Sequence, residues 1–336
     1  MDRSALAINI LFTCAGRKVS LVQAFRKALA KAGIAGDIIG VDVSPYSAVL
    51  NICDHRYLVP RADVDDYIPT LLQICHDHQV RLVMPLIDVD LLVLAEHKQQ
   101  FAEHDILVMV SDPHVVRTCR NKWSTYRFFV DNGIPTVRTF SLEQLSGTDL
   151  RYPLFIKPIS GSGSANAFKV NNAEELAFFA RYVPNPIIQE FAAGDEYTLD
   201  ALVDLSGNVI NVVPRQRLEV RAGEISKGVT RKNWAIIEEA VRLLEKLGAI
   251  GPVCIQCFWD GQEVKFTEVN PRVGGGIPLS IAAGADYPYQ IIKMALGEPV
   301  APCIGKFQDG LYMFRYEEAV FVPERQVFDV RKSNSV

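Results

Sequence analysis

The stretch Glu268-Val269-Asn270-Pro271-Arg272 follows the apolar run Val264-Lys265-Phe266-Thr267, and together they predict the end of a β-strand. Side chains alternate between the two faces of a strand, so Glu268 and Asn270 lie on the same face. A carboxylate and an amide oxygen one pleat apart suit Mg²⁺, which proteins usually hold with few of their own oxygens plus phosphate and water. Proline ends the strand, and Arg272 then lies where it could meet an anion bound by that metal. The alternative is a strand end with solvated polar residues.

Composition limits the kind of protein. The chain has 336 residues, more than one compact core usually holds, so we expect two or three subdomains. The net charge of −4, without a basic block, argues against a nucleic-acid partner. Asp88 and Asp90 interrupt the most hydrophobic stretch, so we expect no membrane span, and the N-terminus lacks the layout of a signal peptide. Seven cysteines without framework spacing lead us to expect a cytoplasmic protein.

Cysteine and histidine positions narrow the chemistry. Cys254 and Cys257 have the spacing of a zinc or redox pair, but their strand-like run would point the two sulfur atoms to opposite faces. We therefore predict that both pack in the core. All six histidines precede residue 115, so chemistry in the later part of the chain has to proceed without a histidine base.

Residues 8–112 alternate between strand and helix patterns. The predicted strands cover 8–12, 37–41, 81–84 and 106–110, and the predicted helices 19–32, 68–78 and 88–97. Such alternation indicates a parallel sheet with helices on both faces. The turn at 13–17 lacks the three glycines of a dinucleotide fingerprint, so we do not expect a nicotinamide site. That turn, Asp42 and Asp88 are candidates to line a pocket for another ligand at the carboxyl ends of the strands.

From residue 113 the pattern becomes α+β. It includes a glycine-rich segment, Ser160-Gly161-Ser162-Gly163-Ser164, directly after Lys157-Pro158 and between two predicted strands. Glycines let the backbone approach phosphate oxygens, and successive N–H groups form an anion-binding nest. A P-loop is excluded because Gly-Lys-Ser/Thr is absent and a strand follows. The segment predicts a flap over phosphates, and an ordinary flexible hairpin is the alternative.

Two further features lie downstream of the glycine-rich segment. Gln189-Glu190-Phe191 ends a predicted strand, and Glu196 follows a turn. A purine needs an apolar slot with backbone groups at its edge, and an acidic side chain suits ribose hydroxyls. A strand, a turn and a solvated acid are the alternative interpretation.

Taken in order, these motifs resemble the ATP-grasp superfamily over about residues 8–300. The motifs are Lys122, Lys157 before the glycine flap, the hinge 189–191, Glu196, Gln256, and Glu268-x-Asn270-Pro271-Arg272. The closest likeness is to one synthetase unit of the carbamoyl phosphate synthase large subunit, which also has Gln at the first metal position. The resemblance implies an N-terminal Rossmann-like domain (1–112), an ATP-grasp N-lobe with the flap (113–190), a C-lobe with the metal site (191–323) and a polar tail (324–336), which we expect to be partly disordered.

The resemblance also implies residue roles. ATP phosphates would contact Lys122, Lys157 and the flap residues Ser160, Gly161, Ser162 and Gly163. Adenine would bind at the hinge residues Gln189, Glu190 and Phe191, and ribose at Glu196. Mg²⁺, or alternatively Mn²⁺, would bind Gln256, Glu268 and Asn270, while Arg272 would stabilise the transferring phosphoryl group.

Sharing one metal requires that Gln256 and Glu268 face the same side of their sheet. Strand parity then requires an odd number of loop residues between their strands. We predict a three-residue loop, Asp260-Gly261-Gln262, which pairs Gln256 with Phe266 and makes Glu268 a diagonal neighbour. A two-residue Asp-Gly turn would put the two side chains on opposite faces.

A basic stretch separates the hinge from the metal strands. It contains Arg215, Arg217, Arg221, Lys227 and Arg231. Arg215 and Arg217 share a strand face, and arginine suits recognition of carboxylate or phosphate, so we predict that at least one of these arginines touches substrate or phosphate. The expected catalytic residues are Arg272, Lys157 and Arg215. The alternative is a solvated charged loop paired with nearby glutamates. Gly274-Gly275-Gly276 would leave backbone N–H groups near the acceptor, unless it is a plain mobile loop.

The expected activity is an ATP-dependent ligase that joins a small-molecule carboxylate to an amine through an acyl phosphate. One synthetase unit without an amidotransferase domain argues against a complete carbamoyl phosphate synthase, so the amine is expected to be an amino acid or related metabolite. Two alternatives stay open: an enzyme that releases an acyl or carbamoyl phosphate, and a nucleotide-binding sensor without catalysis. The family often forms dimers, so a homodimer is also an expectation.

Overall fold

The computed structural model describes residues 7–145, 150–161, 163–221 and 223–332. Five strands of the N-terminal part and one strand of the C-terminal tail form a six-stranded sheet in which every strand pairing is parallel. With strands numbered in chain order, the sheet runs β16 (Arg331–Lys332), β3 (His55–Leu58), β2 (Ile38–Asp42), β1 (Asn9–Thr13), β4 (Val80–Pro85) and β5 (Leu107–Val108). The parallel α/β architecture predicted for this part is therefore confirmed.

Three helices connect these strands: α1 (Val19–Ala32), α2 (Tyr67–Asp77) and α3 (Leu91–Ala102). α1 buries one apolar face and ends at Gly33, whose φ of 67° is a left-handed conformation that glycine adopts without strain. Strand β3 was not predicted, because its sequence HRYL is mostly half-buried and has no clear alternation. α3 begins later than predicted, which leaves Asp88 in the loop after β4.

The rest of the chain contributes two antiparallel sheets. The larger has six strands in the order β14 (Val264–Asn270), β13 (Gly251–Trp259), β10 (Asp195–Val203), β11 (Val209–Arg221), β12 (Glu224–Thr230) and β15 (Tyr312–Phe314). The smaller has four strands in the order β6 (Thr139–Phe140), β9 (Pro186–Glu190), β7 (Leu154–Pro158) and β8 (Phe168–Val170). The remaining helices are α4 (Pro113–Arg120), α5 (Lys122–Asp131), α6 (Ala173–Tyr182), α7 (Trp234–Leu247), α8 (Ile277–Ala282), α9 (Tyr287–Ala295) and α10 (Glu324–Phe328).

One hydrophobic core joins the N-terminal sheet to the larger antiparallel sheet. It includes Phe12 and Phe25 from the first and Leu199 and Phe266 from the second. The four-stranded sheet has a separate, smaller core under α6. Helices α4 and α5 pack on β14, so they contact the larger sheet although we assign them to the smaller lobe. The proposed boundaries at 112/113 and 190/191 fall between secondary-structure elements, and the division into domains remains our proposal.

The hairpin that carries the candidate metal residues differs from the prediction. Trp259 pairs with Val264, so the loop covers residues 260–263 and has four residues, and the predicted three-residue loop is wrong. A register shift follows, because Cys257 pairs with Phe266 whereas Gln256 pairs with Glu268. The extra residue, Thr267, forms a β-bulge that places Gln256 directly opposite Glu268. Gln256 and Glu268 therefore share a face, as predicted, but the cause is the bulge and not the length of the loop.

The described part of the tail contains two secondary-structure elements. α10 follows Pro323, and β16 adds to the edge of the N-terminal sheet beside β3. The prediction that the tail is partly disordered stays a prediction, because residues 333–336 lie outside the described residues. Within the described residues, no helix combines the length and apolar character needed to span a bilayer.

Close packing of β10 against β13 gives a test of the fold. A Cβ added at Gly194 (φ 94°) would lie 2.1 Å from the Trp259 carbonyl oxygen, whereas one added at Gly207 (φ 88°) would meet nothing within 4 Å. Both alanine substitutions incur similar backbone strain, about 1 kcal/mol. We expect Gly194→Ala to reduce the free energy of unfolding in urea by about 2 kcal/mol more than Gly207→Ala, because the two strands must separate. Equal losses would contradict this packing.

Candidate active site

A cavity of about 300 Å³ lies between the four-stranded sheet and the larger antiparallel sheet. It brings together every described residue that we predicted to bind nucleotide. These are Lys122, Lys157, Ser160, Gly161, Gly163, Gln189, Glu190, Phe191 and Glu196. Ser162 lies outside the described residues. The opposite wall is formed by Gln256, Thr267 and Glu268 of the hairpin that contains the bulge. We call this space the nucleotide cavity.

Lys157 has the environment expected of a phosphate-binding residue. It is 8% exposed, and its side chain makes no hydrogen bond or ion pair within the described part of the chain. Burial lowers the pKa of Lys157 from its usual value to about 8, Glu268 and Glu196 oppose this shift, and the charge of nearby Lys122 adds to it. Lys122 donates a hydrogen bond from Nζ to the Gly161 carbonyl oxygen at 2.7 Å, which ties α5 to the glycine-rich segment. Two clustered cations in a cleft favour a bound polyanion.

The hinge residues have different surroundings. The Gln189 side chain is buried and donates from Nε2 to Thr139 Oγ1 at 2.9 Å, so it holds the four-stranded sheet together. Glu190 is exposed, and the exposed Phe191 ring lies 4.8 Å from Lys169 Nζ. Glu196 accepts a hydrogen bond from Arg217 Nη1 at 2.5 Å. A carboxylate held in this way keeps a second oxygen for a sugar hydroxyl.

The candidate metal residues form a compact group of oxygens. Glu268 faces Gln256 across the strand pair, and Asn270 donates from Nδ2 to Glu268 Oε1 at 3.1 Å. This hydrogen bond orients the Asn270 amide and leaves its oxygen free. In the described ranges there is no group of three or more His, Cys, Asp or Glu that could hold a metal. One carboxylate and two amide oxygens nevertheless fit a Mg²⁺ that takes its other ligands from phosphate and water.

A second cavity, of about 820 Å³, extends from the metal residues to the carboxyl edge of the N-terminal sheet. It contains most of the residues that we predicted to line an acceptor pocket: Cys14, Ala15, Gly16, Arg17, Asp42, Asp88, Arg215 and Arg217. It shares Gly163, Arg217, Gly223, Gln256 and Glu268 with the nucleotide cavity. We call it the acceptor cavity. The two cavities therefore meet at the candidate metal residues.

Both predicted catalytic arginines line the acceptor cavity. Arg272 donates two hydrogen bonds to Asp88, from Nε and Nη2, each at 3.0 Å. Arg215 is fully buried and donates from Nε and Nη2 to Asp200 at 2.7 and 3.0 Å. Two other basic residues, Arg221 and Lys227, behave as the alternative interpretation anticipated, since both pair with Glu219 on the surface of the β11–β12 hairpin.

Lys18 and Glu224 are charged residues of the acceptor cavity that were not predicted from the sequence. Lys18 precedes α1, and its side chain has no hydrogen-bond or ion-pair partner among the residues the structure describes. Burial lowers the pKa of Lys18, and the nearby Arg272 charge lowers it further. Glu224 lines the same cavity and pairs with Arg315 at 2.9 Å. One signal in the sequence could have identified Lys18 as a binding residue, namely its position after the first strand and turn. In open α/β sheets, ligands bind at the carboxyl ends of the strands.

Comparison with known families identifies both halves of this arrangement. Residues 10–109 match the PylC-like N-terminal domain, and residues 119–276 match the ATP-grasp domain. The chain contains an ATP-grasp domain. This confirms the resemblance on which the residue roles were based, and the ATP-grasp match covers every candidate nucleotide and metal residue.

Relatives and solved structures agree with this assignment. A carbamoyl-phosphate synthase of Methanobrevibacter smithii is 23% identical over 74% of this chain and 71% of its own length. The biotin carboxylase domain of a Hydrogenobacter thermophilus 2-oxoglutarate carboxylase, solved with MgADP, ADP and bicarbonate, has a TM-score of 0.70 at 15% identity, covering 90% of this chain and 73% of that one. An L-amino acid ligase from Bacillus licheniformis has a TM-score of 0.68 at 18% identity, covering 87% and 75%.

The ATP-grasp domain and the ligase relatives indicate an ADP-forming ligase of the carboxylate-amine type. The structural neighbours show a shared fold, and the biotin carboxylase domain among them was solved with MgADP.

The two cysteines at 254 and 257 are buried and free, so the prediction that they pack in the core is confirmed.

The low pKa of Lys157 predicts pH-dependent nucleotide binding. Phosphate attracts the ammonium form, so affinity should fall as pH rises through about 8. We expect Mg²⁺–ADP to bind about tenfold more weakly at pH 9.5 than at pH 7.5, measured by isothermal titration. Lys157→Gln should bind weakly with little pH dependence, whereas Lys246→Gln, on the exposed face of α7, should match the wild type. A wild-type affinity independent of pH would contradict the assignment.

Proposed function

We propose that this ATP-grasp protein is an ATP-dependent carboxylate-amine ligase acting on small metabolites, with an amino acid or related compound as substrate. The observation that carries the proposal is the meeting of two cavities at Gln256 and Glu268. A nucleotide in one and a carboxylate in the other would reach the same point. The volume of the acceptor cavity, about 820 Å³, leaves room for both a carboxylate and an amine.

The proposed reaction has two steps. First, a carboxylate oxygen of the substrate bonds to the γ-phosphorus of ATP, and the bond from that phosphorus to the β–γ bridging oxygen breaks, which gives an acyl phosphate and ADP. Second, the amine nitrogen bonds to the acyl carbon, the bond to the phosphate oxygen breaks, and the nitrogen loses a proton to solvent. The products are an amide-type bond and inorganic phosphate.

Positioning and charge neutralisation can accelerate both steps without a protein nucleophile. Lys157 and Lys122 would hold the nucleotide phosphates, and Glu196 would bind ribose. Arg272, oriented by Asp88, would stabilise charge on the transferring phosphoryl group, with Arg215 acting from the buried side of the cavity. Gln256, Glu268 and Asn270 would hold Mg²⁺, or alternatively Mn²⁺, whose charge offsets that of the phosphates when it is bound.

The location, the oligomeric state and the partners of the protein remain proposals. The seven free cysteines are consistent with a cytoplasmic location. A homodimer is consistent with the related biotin carboxylase domain, which is described as a dimer. We propose no nucleic-acid or membrane partner. An acyl-phosphate-releasing enzyme and a nucleotide sensor are the two other outcomes that the following test separates.

Glu268 provides the test of this function. At ligand about 100-fold above the dissociation constant, Mg²⁺–ATP should add about 2.7 kcal/mol of stability and raise the unfolding midpoint by a few degrees. We expect Glu268→Ala to lose the Mg²⁺-dependent part of this shift and to lose carboxylate-dependent ADP formation. Glu263→Ala, in the exposed loop of the same hairpin, should retain both.

Turnover assays with pooled carboxylates and amino acids then separate the alternatives. ADP formation that needs a carboxylate, with phosphate release that needs an amine, supports the ligase. ADP formation with a stable acyl phosphate that hydroxylamine traps would indicate the acyl-phosphate enzyme. Mg²⁺–ATP binding without any turnover would indicate the sensor, and no binding of any nucleotide would overturn the proposal.

A further inference from the structure

Arg215 lies in an arrangement that leaves one nitrogen unused. Its Nε and Nη2 donate to Asp200, while Nη1 is buried and has no hydrogen-bond partner among the described residues. Asp200 is itself fixed, because Oδ2 accepts from Ser280 Oγ at 2.6 Å and its carbonyl oxygen accepts from Tyr287 OH at 2.8 Å. A buried, unpaired guanidinium nitrogen is costly, so a ligand that accepts from it would be favoured.

The glycine turn after β14 brings the backbone close to this arginine. A Cβ on Gly276 would lie 2.1 Å from Arg215 Nη1, and one on Gly275 would lie 2.7 Å from the Glu224 carboxyl group. Gly276 has φ −94°, an ordinary conformation, so close approach rather than backbone freedom requires glycine there. Both glycines line the acceptor cavity, as do Arg215 and Glu224.

Lys18 enters the same part of the cavity from the N-terminal sheet. It lines the same cavity as the glycine turn, and the Glu224 and Arg272 charges both act on its ammonium group. Neighbouring charges form pairs, namely Arg215 with Asp200, Arg272 with Asp88, and Arg315 with Glu224. Arg17 also lines the cavity but is exposed, and among the cavity's cations that are at least partly buried, Lys18 alone lacks a partner within the described ranges.

We propose that Lys18 and Arg215 Nη1 bind a non-reacting carboxylate of a substrate in the acceptor cavity. One ammonium and one guanidinium N–H match the charge and the two oxygens of a carboxylate, whereas a dianionic phosphate would require more positive charge. This carboxylate is distinct from the one that reacts at Glu268 and Arg272. It is either the α-carboxylate of an acceptor amino acid or a second carboxylate of the acyl donor. The inference rests on the proposed function and names its substrate class.

Kinetics with matched substrates test the subsite and identify the source of the carboxylate. Each acceptor amino acid is compared with its amide and its decarboxylated amine, and each dicarboxylic donor with the corresponding monocarboxylic acid. We expect wild type to have a KM about tenfold to a hundredfold lower for whichever partner carries the additional carboxylate. Lys18→Met should abolish this preference. Lys27→Met, exposed on helix α1, should behave as wild type.

Ser280→Ala provides an independent variant, because direct substitution of Arg215 would leave Asp200 buried without its partner. Loss of the hydroxyl should loosen Asp200 and Arg215 and raise the same KM about threefold. Equal KM values in wild type for every matched pair would overturn the inference and leave the ligase function standing. Full preference retained in Lys18→Met would also overturn it.

Binding without turnover separates this inference from the ligase function. Protein loaded with Mg²⁺ and a non-hydrolysable ATP analogue is titrated with the twenty amino acids and with dicarboxylates while the unfolding temperature is followed. Stabilisation that disappears in Lys18→Met and persists in Lys27→Met supports the subsite even if no ligation is detected. Stabilisation that is unchanged in Lys18→Met, or no stabilisation by any carboxylate, overturns it.

Discussion

Glu268 lies directly opposite Gln256 because one extra residue, Thr267, is accommodated between Phe266 and Glu268. Without that bulge, the four-residue loop would place Glu268 one position away from this pairing, on the other face of the sheet. The bulge turns the carboxylate toward the space where the nucleotide cavity and the acceptor cavity meet. Phe266 before the bulge stays in the core, so packing and chemistry are both satisfied on one short strand. The rest of the site depends on this register.

Charge is distributed around that point in a way that suits phosphoryl transfer. Lys122 and Lys157 lie on the nucleotide side, and Lys18, Arg215 and Arg272 lie on the acceptor side. The arginines on the acceptor side are held by buried or partly buried carboxylates, which fix their direction before any ligand arrives. Such preorganisation reduces the rearrangement needed when negative charge develops between the two cavities. Asp88, in the loop after strand β4 of the N-terminal sheet, holds Arg272 in this way. The N-terminal sheet and the larger antiparallel sheet therefore both contribute to one site.

Much of this arrangement could be predicted from local sequence. Strand periodicity placed Glu268 and Asn270 on one face, the glycine-rich segment after Lys157 indicated a flap, and strand-helix alternation indicated the parallel sheet. These features depend on neighbours within a few residues, which a single sequence displays. The family resemblance supplied Gln256 and Lys122, whose spacing alone carries no such information.

Other features depend on contacts that are distant in sequence. The bulge at Thr267 could not be predicted, because an Asp-Gly turn is compatible with several loop lengths. The Asp200–Arg215 pair and the Arg272–Asp88 pair join residues from different strands or sheets, and no local pattern indicates them. Lys18 resembled any surface lysine at a helix start, and its place in the acceptor cavity depends on residues that are distant in sequence. The strand β16 depends on a sheet edge hundreds of residues earlier in the chain.

The most direct test of the account follows the oxygen atoms of the substrate carboxylate. The carboxylate that supports amine-dependent phosphate release is labelled with ¹⁸O at both oxygens, and the inorganic phosphate is analysed by mass spectrometry after turnover. Attack of the carboxylate on ATP, followed by amine displacement, predicts that one ¹⁸O atom appears in each phosphate released. Phosphate without ¹⁸O, formed at the same rate as the ligated product, would contradict an acyl phosphate at the junction of the two cavities.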